Sequence, residues 1–69
     1  MYICVADVLG IKEYEKDGRK QRYLQIAYDS KQSGFTGKRV AACKVEGDYK
    51  LGSKVKVADD FMRPQIIEE

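Results

Sequence analysis

The chain has 69 residues, 43% of them hydrophobic, with no His, two Cys and a net charge of +2 from 13 basic and 11 acidic side chains. That length holds one domain (residues 1–69) with a marginal core, and the missing His excludes a Cys/His zinc site, which needs about four ligands. No run approaches the roughly 20 apolar residues that cross a bilayer. The opening Met1-Tyr2-Ile3-Cys4-Val5 lacks a basic leader and a cleavage pattern, so a reducing, cytoplasmic setting without membrane association is expected.

Branched and aromatic content marks five strands in chain order: Tyr2 to Glu15, Arg19 to Asp29, Lys38 to Glu46, Ser53 to Ala58, and a short Gln65 to Glu68 after Pro64. Asp17-Gly18, the 30–34 segment, Gly47-Asp48 and Gly52 separate them. A helix has room only around Ala58 to Arg63. The fold class expected is all-β: a small five-stranded antiparallel barrel, closed or partly closed, which leaves few open edges.

The first hairpin carries the most information. Asp-Gly suits a two-residue turn because both central residues take positive φ. That turn pairs Glu15 with Lys20, Tyr14 with Gln21, Glu13 with Arg22, Lys12 with Tyr23, Ile11 with Leu24, and Leu9 with Ile26. One face is then apolar at its base, with Glu13–Arg22 and Glu15–Lys20 as opposite-charge pairs near the tip. The expected core is Ile3, Val5, Leu9, Ile11, Leu24, Ile26, Cys43, Val45, Val55 and Val57, with Tyr28 and Phe61 joining it and Tyr49 capping it. Cys4 and Cys43 sit in apolar runs and are expected reduced and buried. With one disulfide at most and no metal, a second subunit is the remaining way to bury surface, so a homodimer is expected.

The opposite hairpin face reads Gly10, Lys12, Tyr14, Lys16 against Gln25, Tyr23, Gln21, Arg19, with no acidic residue. Lys54 and Lys56 alternate with Val55 and Val57 and add a second basic row. Cations along a path and flat aromatic faces are what single-stranded nucleic acid needs, since base–aromatic stacking gives about 1–3 kcal/mol per base. The candidate binding residues are therefore Lys12, Lys16, Arg19, Lys54 and Lys56 for phosphates, Tyr14 and Tyr23 for bases, and Gln21 and Gln25 for base edges or sugars. Lys and Tyr neighbours also stabilise solvated β faces with no ligand at all. Catalysis is not expected, because there is no His, the carboxylates fall in paired or terminal positions, and the thiols lack an activating partner. No cofactor is implied. Ser33-Gly34-Phe35-Thr36-Gly37-Lys38 is superficially similar to a phosphate loop but lacks the Walker spacing.

Two segments carry a family likeness. Gly18-Arg19-Lys20-Gln21-Arg22-Tyr23-Leu24 and Glu46-Gly47-Asp48-Tyr49-Lys50-Leu51-Gly52-Ser53-Lys54-Val55-Lys56-Val57 resemble the gene-five-type single-stranded-DNA-binding proteins of filamentous phages. The spacing departs from that family, with four residues rather than two between Gly18 and Tyr23. The resemblance implies an OB-like fold, a dimer, DNA favoured over RNA, and service in DNA replication. The rival reading is a small SH3-like protein-interaction module whose exposed tyrosines bind a peptide.

Overall fold

Asp17 and Gly18 adopt φ values of 53° and 77°, the left-handed pair that a two-residue hairpin turn requires. In this computed structural model, which describes residues 2–30, 34, 36–60 and 63–68, the turn joins β1 (Tyr2–Lys16) to β2 (Arg19–Tyr28). The register runs from Ile11↔Leu24 to Lys16↔Arg19, as the turn chemistry predicts. Then follow β3 (Arg39–Val45), β4 (Lys54–Asp59) and β5 (Gln65–Ile66).

All four pairings are antiparallel and the strand order is β3-β2-β1-β4-β5. No helix occurs among the described residues, and Ala58 and Asp59 continue β4. The long β1 serves two partners: residues 2–7 pair with β4 and residues 7–16 with β2. The sheet curls so that its edge strands β3 and β5 lie against each other, although no ladder closes it. The Cys43 thiol spans this seam and donates to the Pro64 carbonyl at 3.4 Å.

A bulge in β1 changes which residues face the core. Val8 pairs with Ile26 and Gly10 with Gln25, so Leu9 is an extra residue with no partner on β2. The period-2 alternation therefore shifts phase at Leu9. Upstream of it Ala6 and Val8 are buried, with Cys4 packed against them. The expected core positions Ile3, Val5 and Leu9 instead lie outside, 64%, 61% and 51% exposed, and Ile11 is 36% exposed at the edge of the core. The run Tyr2 to Val8 is apolar at nearly every position, so the alternation itself carries no phase there. Gly10 also meets a close neighbour, because a Cβ at that position would lie 3.2 Å from Gln25 Oε1.

The core is built from Ala6, Val8, Leu24, Ile26, Tyr28, Cys43, Val45, Val55 and Val57. Full burial of each large apolar side chain contributes about 1.5–3 kcal/mol. Six of the ten expected core positions are present (Leu24, Ile26, Cys43, Val45, Val55, Val57), and Tyr28 joins them fully buried. Tyr49 packs on the cluster half-buried, as its capping role requires. Phe61, Phe35 and Ser33 lie outside the described residues. Both thiols are free, but only Cys43 is buried; Cys4 is half-buried, packed at the margin of the core opposite Val57. Burial pushes the Cys43 thiol above its usual value.

Among the described residues one carboxylate lies inside. Asp59, at the end of β4, has no solvent exposure. It accepts hydrogen bonds from the Tyr28 hydroxyl at 2.9 Å and the Ser30 hydroxyl at 2.8 Å. Arg39 Nη1 lies 3.6 Å away. A buried charge is tolerated only when paired and hydrogen-bonded, and these partners come from β2, the segment after it, and β3. Asp59 thus ties three parts of the chain together.

Candidate nucleic-acid interface

The outer face of the β1–β2 hairpin holds the residues that the turn register places there. Tyr14 and Tyr23 are diagonal cross-strand neighbours, because Tyr14 pairs with Gln21 and Lys12 with Tyr23. Diagonal pairs come within reach of long aromatic side chains. Here the rings stack, centroids 5.9 Å apart and planes 5° from parallel. Lys12 Nζ sits 5.3 Å from the centre of the Tyr14 ring, within cation–π range. The Tyr14 hydroxyl is held above the usual tyrosine range, first by a side-chain hydrogen bond with Tyr23 and then by desolvation. Tyr14 is exposed and Tyr23 half-buried, so the two rings form one platform rather than two.

Lys16, Arg19 and Gln25 are exposed on this face, and Gln21 is half-buried beside Tyr14. β3 widens the surface. Lys44 pairs with Tyr23 and Ala42 with Gln25, both exposed. Lys16, Asp17, Arg19, Gln21 and Lys44 line one shallow cleft at the hairpin tip. Gly10, Lys12, Tyr23, Gln25 and Ala42 line a second, further along the ribbon. Lys44 is a member that the sequence reading missed. The signal was present, since Cys43 and Val45 face inward and Lys44 must then face out, but the sequence alone did not place β3 beside β2.

Lys54 and Lys56 do not join this group. Lys54 faces Asp7 and Lys56 faces Val5, on the half of β1 beyond the bulge. Asp7 is five residues from Lys12, about 15 Å along the strand. Lys54 donates to Asp7 Oδ1 at 2.7 Å, and that bond, with the Lys54 charge, holds the Asp7 carboxyl below its usual range. Lys38 Nζ approaches the same carboxylate at 4.0 Å. The second basic row is therefore tied to an acid of its own through Lys54, and it stands apart from the hairpin row.

On the core-facing side of the same hairpin, Arg22 organises the tip. Its Nε lies 3.1 Å from Glu13 Oε1, and its Nη1 lies 2.8 Å from Asp48 Oδ1 and donates to the Gly47 carbonyl. This anchors the β3–β4 loop to β2. The loop in turn holds Glu68: the amides of Glu46 and Gly47 and the Tyr49 hydroxyl all donate to its carboxylate. No family model matches the chain, and neither a curated protein nor a solved structure matches it.

Proposed function

We propose that this protein binds single-stranded nucleic acid, DNA in preference to RNA, on the outer face of its first hairpin, without catalysing a reaction. The observation that carries the reading is the Tyr14–Tyr23 stack, set among Lys12, Lys16, Arg19 and Lys44, where cations outnumber the acids Asp17 and Glu46 that border them. The exposed Tyr14 ring of the stacked pair offers a base an aromatic surface to stack on, and stacking is tolerant of base identity. The cations beside it follow a path that a phosphate backbone can take. The strand order, the shared β1 and the seam between β3 and β5 support an OB-like, partly closed barrel, an architecture that binds oligonucleotides across its second and third strands.

Fluorescence polarisation with oligo-dT, oligo-U and duplex DNA at two salt concentrations tests this. The expected result is binding to the single strands that weakens steeply with salt, each neutralised phosphate adding about −0.7 to the slope of log K against log salt. Binding only to the duplex, or none to any of the three, overturns it.

A second reading rests on the other half of the outer surface. Ile3, Val5 and Val40 are large apolar side chains, each more than half exposed, and exposed apolar groups of this kind are covered in interfaces between chains. Under this reading that half binds protein, with a second copy of this chain as the partner. Equilibrium sedimentation of the parent and of Val5→Asp tests it: a dimer that the substitution dissociates supports it, and a monomer at micromolar concentration removes it.

A further inference from the structure

Glu68, two residues beyond β5, is bound as an anion. Its Oε1 accepts from the Gly47 amide at 2.8 Å, the Tyr49 hydroxyl at 2.9 Å and the Glu46 amide at 3.1 Å. The Glu46 amide also reaches Oε2 at 3.2 Å. These donors are pre-positioned by other parts of the fold. Arg22 grips the loop through the Gly47 carbonyl and Asp48, and Tyr49 packs on the core. Residue 47 is glycine at a place where a Cβ would stand 3.2 Å from Glu68 Oε1 and 3.4 Å from the Tyr49 ring, so a side chain there would crowd the anion. The amide bonds, with Gly47 first, hold the Glu68 carboxyl below its ordinary range.

Successive main-chain N–H groups turned toward one point form an anion-binding concavity, and phosphate oxygens suit it as well as a carboxylate does. The concavity adjoins the candidate interface through Glu46, which lines a cleft with Glu13, Arg19, Gln21, Arg22 and Lys44, and Lys44 is the β3 neighbour of Tyr23.

We propose that the Glu46–Gly47–Tyr49 concavity is a phosphate site held closed by Glu68, and that a backbone phosphate of a bound single strand displaces this carboxylate. The displacement rests on the single-strand reading above; the anion site itself does not. Glu68 is then an internal competitor. If it fills the concavity about four-fifths of the time, it weakens strand binding about fivefold, by the fraction of molecules left competent.

The test is an amide-resolved NMR titration of the parent and of Glu68→Gln, with inorganic phosphate and separately with oligo-dT, alongside oligo-dT affinities. In Glu68→Gln the Glu46 and Gly47 amides should shift with phosphate at several-fold lower concentration than in the parent, and oligo-dT should bind about fivefold tighter. Asp29→Asn removes the same charge elsewhere on the surface, so an equal gain in that variant would overturn the proposal. Glu68→Ala removes the occupant and leaves all three donors in place. It should tighten oligo-dT binding in the same direction, and it takes the place of Glu68→Gln if that variant fails to fold. A folded Glu68→Gln whose two amides ignore phosphate would reduce Glu68 to a structural clip and overturn the site. If oligo-dT shifts nothing while phosphate still moves the two amides, the single-strand reading falls and the anion site stands.

Discussion

Tyr28 and Tyr23 lie on the same strand and on opposite faces of it, and their surroundings give one aromatic side chain two different consequences. Tyr28 is fully buried, its hydroxyl donating to a carboxylate that is itself fully buried, with Ser30 and Arg39 completing the group. Tyr23 stacks on an exposed Tyr14 that Lys12 overlies, near Lys16, Arg19 and Lys44, with Asp17 of the turn bordering them. The first tyrosine is held from every side, and its role ends within the molecule. The second is only half-buried. A polar network that is fully satisfied rigidifies a fold; a half-satisfied aromatic and basic surface is available to something else.

Asp59→Ala separates the two regions most strongly. It strands the Tyr28 hydroxyl and leaves Arg39 without its carboxylate, at a cost of roughly 3 kcal/mol of stability. Urea unfolding should show a much lower midpoint, whereas any strand affinity that survives in the folded fraction should match the parent. An unchanged midpoint would mean that the buried network contributes nothing and the contrast fails. Tyr23→Ala should do the reverse. It should lose about 1–3 kcal/mol of oligonucleotide affinity, alike for dT and dA, with about 1 kcal/mol of stability lost from the broken stack. If it unfolds the domain, Tyr23 is as structural as Tyr28.

A pH titration sharpens the same comparison. Burial first, and then its bond to Asp59, pushes the Tyr28 hydroxyl up to about 12. A group whose folded value is raised stabilises fully below the unfolded value and loses that contribution as pH climbs to the folded one. Stability should therefore fall between about pH 10 and pH 12. Tyr28→Phe, which cannot ionise there, should flatten this fall and cost about 1 kcal/mol at neutral pH for its lost hydrogen bond. Absorbance at 295 nm against fraction folded checks both. The smallest effect belongs to Lys16→Ala: no measurable change in thermal midpoint and a salt slope shallower by about 0.7, since one phosphate contact is removed. An unchanged slope would take Lys16 out of the binding face.

The hairpin was legible because two independent signals agree on it. The Asp17-Gly18 turn sets the register, and the Glu13–Arg22 pair found at 3.1 Å checks it. The same turn placed Tyr14 and Tyr23 on one face, although it did not say that the rings would stack on each other. Lys54 and Lys56 were correctly turned outward, but sequence alternation reports only inside or outside; it cannot say that Lys54 would lie against Asp7, 47 positions away along the chain.

Local chemistry therefore determined the strands, the first turn, the β2, β3 and β4 contributions to the core, and the basic and aromatic ribbon. These depend on residues within a few positions of one another, where pleat and turn geometry leave little choice. Only the tertiary structure decided the rest. The bulge at Leu9 reverses the faces of an evenly apolar run, because packing β1 against both β2 and β4 selects Ala6 and Val8 for the interior. Asp59 reads along the chain as one of two adjacent acids balancing the basic body. It is buried because β2, the segment after it and β3 bring a tyrosine, a serine and an arginine to it from distant positions. Lys44 and the Glu46–Gly47 amides enter the candidate surface for the same reason: strand order is a property of the whole sheet, and no short window of sequence contains it.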